Sequence, residues 1–259
     1  MGKGKSMSNK TAKKVTMNGN THTAHEAEKA VLDPAIEFSY QARANRPLSL
    51  SAIMNTMRIL KKLNPGDTYY EAYIGMKAKY KENFFDTYQV LLAIGVYRAP
   101  KRILEIGCRT GISLCQLLSA HSGLDAIERI VLVDPFDQWT SANLVRANLK
   151  YLNLPNDEGK VKIYVNRSVD GLPLLAEAKE TFDYILVDGD HTKSVAQRDL
   201  EEVHPLCEKG GIIVFDDIST APGECALIDV WEGFKAQHTD EYYFYECMDG
   251  KGVALAIKK

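Results

Sequence analysis

The chain has 259 residues, 45% of them hydrophobic, and a formal net charge of −2. That balance supports one sizeable core, offers no basic excess for a nucleic-acid partner, and contains no apolar run long enough to span a membrane. Five scattered cysteines (Cys108, Cys115, Cys207, Cys225 and Cys247), odd in number and without a C-x-x-C pair, predict reduced, mostly packed thiols in a cytoplasmic protein.

Residues 1–25 are polar and basic without hydrophobic period, which predicts a disordered basic tail. The start, MGKGKS, meets the loose N-myristoylation pattern, but so short a pattern is frequent by chance. His22 and His25 lie in the same tail, where two histidines are far more often unliganded than metal-bound. Residues 26–83 read as a helical extension or lid. HEAEKAVLD and SLSAIMNTMRILKKL space their apolar residues by three and four, until Pro65-Gly66 breaks the run. Tyr69, Tyr70, Tyr73 and Tyr80 then suit a helix packed on a core, with a substrate lid as the alternative. FFDTYQVLLAIGVYRA (84–99) is an amphipathic helix closed by Pro100 and opens the main domain, 84–259.

From residue 102 short apolar runs alternate with helical segments. The runs are RILEIG (102–107), RIVLVD (129–134), VKIYVN (161–166), FDYILVD (182–188) and GGIIVFDD (210–217). Repeated β-α-β with near-continuous apolar strands predicts a Rossmann-like, doubly wound α/β fold with a mostly parallel sheet covered on both faces. After one more helix, EYYFYECM (241–248) and GVALAIK (252–258) flank the hairpin signal Asp249-Gly250, so a seven-stranded sheet with an antiparallel last strand is expected.

The turn after the first strand, LEIGCRTGIS (104–113), decides the ligand. Gly107 and Gly111 bring a ligand close to backbone N–H groups at a helix start. A dinucleotide fingerprint needs G-x-G-x-x-G. Here Glu105 stands where the first glycine belongs, giving E-x-G-x-x-x-G. A carboxylate there repels a pyrophosphate and suits a cationic amino-acid ligand such as S-adenosylmethionine. Asp134 ends the second strand, where an acidic residue accepts ribose hydroxyls. Ser168 and Val169 follow the third strand and suit an adenine contact.

On these residues, with DYILVDGDH and GGIIVFDD, the stretch 84–258 resembles class I S-adenosylmethionine-dependent methyltransferases. The resemblance implies S-adenosylmethionine as cofactor, held by Glu105, Gly107, Gly111, Asp134, Ser168, Val169 and Asp188.

The fourth strand ends in Asp188-Gly189-Asp190-His191 and the fifth in Asp216-Asp217. Neighbouring strands lie about 4.8 Å apart, so Asp188, Asp216 and Asp217 meet at one rim. Three carboxylates suit a hard divalent ion, Mg²⁺ first. The alternative is a salt-bridged cluster, with Lys193 and Arg198 as partners. The pattern is similar to metal-dependent O-methyltransferases. Asp-Gly-Asp followed by Asp-Asp matches the branch acting on macrolide and aminocoumarin sugars better than the catechol and caffeoyl-CoA branch. That resemblance implies Asp188, Asp216 and Asp217 as metal ligands and Asp190, ahead of His191, as the base that deprotonates the acceptor hydroxyl. The partners expected are a small-molecule hydroxyl acceptor and further copies of the chain in a homodimer or larger homo-oligomer. Three alternatives stand beside this: a metal-independent methyltransferase, a cephalosporin-hydroxylase-like enzyme on the same fold, and a non-enzymatic binding module.

Overall fold

The structure is a computed structural model. It describes residues 98–259 apart from 120, 122, 138–140, 152–158, 222–224 and 249–250, together with isolated positions between 87 and 95 and two short strands near the N-terminus. The expected helical extension over 26–83, with its four tyrosines, lies outside the described residues, as does Trp139. Within the 1–25 stretch, β1 (Val15–Met17) pairs antiparallel with β2 (Asn20–His22), so its composition does not exclude local pairing there.

The main sheet has seven strands in the order β5-β4-β3-β6-β7-β9-β8. They are β3 (Arg102–Ile106), β4 (Arg129–Val133), β5 (Val161–Tyr164), β6 (Phe182–Val187), β7 (Cys207–Asp216), β8 (Tyr242–Cys247) and β9 (Val253–Lys258). Strands β3 to β7 pair in parallel, and β9 runs antiparallel to both its neighbours. The helices α1 (Ile112–Ser119), α2 (Ala142–Tyr151), α3 (Ser168–Glu177), α4 (Lys193–Val203) and α5 (Ile228–Gln237) cover its two faces.

Side chains alternate along each strand, and the two cores follow from that period of two. Ile103, Ile130, Leu132, Tyr184, Leu186, Ile212 and Val214 pack with α1, α2 and the helical positions Val90, Leu91 and Ile94. Leu104, Ile106, Val131, Val133, Ile185, Val187, Ile213 and Phe215 pack under α3, α4 and α5, where fully buried Trp231 stacks on Phe215. Each fully buried aliphatic or aromatic side chain contributes roughly 1.5–3 kcal/mol. A slip of one residue in any central strand exchanges its two faces, so this apolar pattern fixes the register. It also fixes where the polar residues go. Glu105 shares the face of Ile103, and continuing the alternation puts Asp188 and Asp216 on that face too.

The strand order reverses about β3: β4 and β5 build outward on one side, then β6 returns to the other. Ligands in open α/β sheets bind at such a switch point, outside the carboxyl ends of the strands. Here the switch lies between β3 and β6.

Candidate active site

A cavity of about 630 Å³ opens at the switch point. Its lining includes Gly107, Asp134, Ser168, Val169, Asp188, Asp190 and His191, all named from the sequence, together with Arg109, Ser113, Arg167, Arg198 and Lys251.

Gly107 adopts φ +80°, and a Cβ there would lie 1.9 Å from the Asp188 carbonyl oxygen. The ends of β3 and β6 meet only because this position has no side chain. Gly111 has φ +78° and does not line the cavity; it lets Val145 of α2 approach to 3.1 Å of a Cβ position.

Glu105 is 1% exposed and accepts a hydrogen bond from Ser113 Oγ on α1. Burial pushes its carboxyl up to about 8, a rise that Ser113 opposes and that Asp188 and Asp134 reinforce. It does not itself line the cavity; Ser113 connects it to the space above. No ion pair to Glu105 is present among the described residues. A buried carboxyl beside two further carboxylates and without a cation is the environment that a cationic ligand completes. Asp134, also buried, accepts from the Arg109 backbone N–H at 2.7 Å and the Phe136 N–H at 2.7 Å. Those bonds fix the carboxylate at the cavity wall, with lone pairs left for ribose hydroxyls. The chain's residues therefore fit S-adenosylmethionine.

The second half of the site is the carboxylate cluster. Asp188, Asp216 and Asp217 each place an oxygen within 4.8 Å of the others, as their strand-end positions predict. Asp216 is 3% exposed and Asp217 fully buried. Asp217 leaves the strand at φ +64°, a left-handed turn that aspartate tolerates better than most residues. What compensates them is a lysine. Lys251 Nζ lies 3.0 Å from Asp216 Oδ2 and 2.9 Å from Asp217 Oδ2. It comes from the β8–β9 turn, which the Ser219 N–H to Lys251 carbonyl bond (2.7 Å) ties to the end of β7. Thr87 Oγ1 donates to Asp216 Oδ1. Neither cation expected from the sequence takes part: Lys193 pairs with Asp229 and Arg198 with Glu202. A divalent ion and an ammonium cannot share one position between the same carboxylates. In this arrangement the donor set therefore does not fit Mg²⁺, and no chemical step is derived through a metal.

His191 enters the same cluster, its Nε2 3.4 Å from Asp188 Oδ1 and 3.2 Å from Asp217 Oδ2. Nδ1 lies 3.2 Å from Cys225 Sγ. The Asp188 hydrogen bond leads the causes that raise its pKa above the ordinary histidine value; burial opposes the rise and Asp217 adds to it. Burial, joined by Asp216, pushes Asp217 up to about 7, against the pull of Lys251. Asp190, preferred as base from the sequence, is exposed and outside the cluster. Its Oδ1 accepts the Thr192 N–H at 2.8 Å, which holds the start of α4 and lowers its pKa. A carboxylate bound and depressed in this way is a weak proton acceptor, so the geometry favours His191.

None of the five cysteines is disulfide-bonded. No helix among the described residues is long and apolar enough to cross a membrane.

Residues 104–218 match the model of a methyltransferase domain family. No curated protein matches the sequence significantly. Among solved structures, the chain is similar to an O-methyltransferase from Bacillus cereus crystallised with S-adenosylhomocysteine, at 17% identity and TM-score 0.53, covering 88% of this chain and 100% of that one. It is also similar to the O-methyltransferase TomG from Streptomyces achromogenes, involved in tomaymycin synthesis and crystallised with S-adenosylmethionine, at 19% identity and TM-score 0.50, covering 90% of each chain. Residues 104–218 thus match a methyltransferase domain, and the chain shares the fold of these two O-methyltransferases.

Proposed function

We propose that this chain is an S-adenosylmethionine-dependent O-methyltransferase acting on a hydroxyl of a small molecule, a sugar or a phenolic natural product. The observation that carries the reading is Glu105, buried beneath the cavity with no ion pair among the described residues. The cofactor, when bound, supplies an electrophilic methyl on its sulfonium. Glu105, from beneath the cavity floor and through Ser113, would compensate its ammonium, Asp134 would hold its ribose hydroxyls, and Ser168 and Val169 its adenine. The enzyme's main task is then alignment of donor and acceptor. An aliphatic or phenolic hydroxyl is a poor nucleophile until its proton is held elsewhere. Asp217 and Asp188 beside Nε2 favour the tautomer in which Nε2–H donates to them; Nδ1 is then the basic nitrogen, and the Cys225 thiol that lies 3.2 Å from it has to give way to the acceptor's hydroxyl. Lys251 keeps the two strand-end carboxylates compensated while that imidazole becomes charged.

The cofactor assignment makes an expectation for pH. Free Glu105 is protonated below about 8. An ammonium beside it favours the ionised form, so binding expels a proton at lower pH. S-adenosylmethionine affinity should therefore rise from pH 6 to 8, by at most roughly ten-fold per unit, and level off above. Calorimetry in buffers of different ionisation enthalpy measures both the affinity and the proton. Glu105→Gln should weaken binding and flatten the profile. An equally steep profile in that variant assigns the proton elsewhere, and no binding by the wild type removes the function.

The second reading is metal-dependent transfer, favoured by the three carboxylates within 4.8 Å. Turnover on panels of catechols, phenols and glycosides, followed as S-adenosylhomocysteine released, decides between them. With Lys251 as the cluster's cation, excess EDTA leaves the rate unchanged. Loss of turnover in EDTA, restored by Mg²⁺, supports the second reading instead. A product heavier by an oxygen rather than a methyl removes both.

A further inference from the structure

At the amino end of β7, three side chains converge that the methyl transfer does not use. His204 caps the C-terminus of α4 and His238 the C-terminus of α5. Their ring centroids lie 4.2 Å apart. Glu241 reaches both, with Oε1 2.8 Å from His238 Nδ1 and Oε2 3.5 Å from His204 Nε2. Asp216 ends the ten-residue β7 at the opposite edge of the sheet, roughly 30 Å away at the usual rise per residue.

We propose that His204, His238 and Glu241 bind a Zn²⁺ ion that pins the ends of α4 and α5 to the start of β8. Two imidazoles and one carboxylate are a donor set for a borderline divalent metal rather than for Mg²⁺ or Ca²⁺. All three ligand atoms lie within 4.8 Å of one another. A tetrahedral ion with bonds near 2.1 Å sets its ligands about 3.4 Å apart, close to the 3.5 Å between His204 Nε2 and Glu241 Oε2.

The hydrogen bonds around the triad point the same way. The Tyr242 hydroxyl lies 3.3 Å from the His204 carbonyl and 2.9 Å from His204 Nδ1; when its one proton goes to the carbonyl, its oxygen accepts the Nδ1–H of His204. That leaves Nε2 with a lone pair, aimed at a carboxylate oxygen. Two acceptors facing each other are joined either by a shared proton or by a metal cation, and the second imidazole beside them supplies the further ligand that a metal needs. Tyr242 then acts as the outer hydrogen-bond partner that orients a ligating histidine. Both imidazoles sit where a helix ends, and the partial negative charge of two helix C-termini favours a cation. The nearby Lys258 ammonium is engaged by the carbonyls of His204 and Cys207, at 3.1 and 2.9 Å. The scaffold is closed: the His238 carbonyl accepts the N–H groups of Glu241 (3.0 Å) and Tyr242 (3.1 Å), and Tyr242 pairs with Lys258 in the sheet. Glu241 is about half exposed, so solvent can complete the coordination.

The test is calorimetry of the full chain with ZnCl₂ after chelator treatment, beside thermal melts. The wild type should take up one equivalent and its melting midpoint should rise with Zn²⁺. His204→Ala and Glu241→Gln should lose that equivalent or weaken it at least ~100-fold, and Tyr242→Phe should weaken it roughly ten-fold. His191→Ala is the control for the second donor group, His191, Asp217 and Cys225; it should keep the equivalent. Glu241 is a surface side chain, so its variant decides should His204→Ala fail to fold. No uptake by the wild type, uptake unchanged in Glu241→Gln, or uptake lost only in His191→Ala overturns the proposal.

Discussion

Lys251→Met should destabilise the protein by about 3–5 kcal/mol at pH 8, the cost of removing one partner from a buried ion pair. The substitution keeps most of the side chain's volume and removes the charge that lies 3.0 and 2.9 Å from Asp216 and Asp217. Both buried carboxylates are then left beside Asp188, with Thr87 and His191 as their remaining partners among the described residues. One route of relief remains, protonation. Asp217 already has its pKa pushed up to about 7 by burial and by Asp216, and loss of Lys251 pushes it further. A carboxyl whose folded value is raised costs nothing while it is protonated, below the ordinary aspartate value. The cost grows as pH climbs from there through the folded value. The gap between wild type and variant should therefore be smaller at pH 5 than at pH 8, as read from urea melts. The vacated position also becomes a place for a divalent ion between three carboxylates. Mn²⁺ or Mg²⁺ should then raise the melting midpoint of Lys251→Met and leave the wild type unmoved. An equal rise in both proteins means that lysine and metal do not compete. A variant as stable as wild type at pH 8 means that the pair of contacts does not compensate the cluster.

That lysine shows where the sequence stops being legible. The strands were readable because parallel strands buried on both faces are continuous apolar runs, and each run lies within two or three residues of the observed strand. The meeting of Asp188, Asp216 and Asp217 was readable too, because adjacent strand ends in a parallel sheet are spatial neighbours. Lys251 belongs to a hairpin turn that reads only as a hairpin. Its place beside Asp216 depends on β9 inserting between β7 and β8, which brings the turn back over the end of β7. Asp190 and His191 are adjacent in sequence, and the conformation of a turn decides which of them enters the cluster. No period or motif reports that. His204, His238 and Glu241 carry no spacing signature either, since two helix ends and a strand start have to meet before they become neighbours. Fold and cofactor cradle follow from local pattern, while the charge balance of the site follows from non-local topology.

Gly107→Ala should abolish cofactor binding, with a loss of at least ~100-fold in affinity and about 3 kcal/mol of stability. Two costs combine. At φ +80° an alanine pays roughly 1–2 kcal/mol for the left-handed conformation. Its Cβ would also stand 1.9 Å from the Asp188 carbonyl oxygen, 2.6 Å from its carbonyl carbon and 2.7 Å from Gly189 Cα. All three are backbone atoms, so no rotamer change relieves the contact, and overpacking of this kind costs typically another 1–3 kcal/mol. The relief available is to part β3 from β6 at the switch point. That movement displaces Asp188 from the carboxylate cluster and opens the floor above Glu105, so affinity falls more steeply than stability. Gly210→Ala separates the two costs. Gly210 has φ +76°, yet no atom lies within 4 Å of a Cβ built there. It should lose only the conformational part and bind S-adenosylmethionine as the wild type does. Should the two variants prove equally stable and equally able to bind, the close approach of the strand ends is not what shapes the cavity.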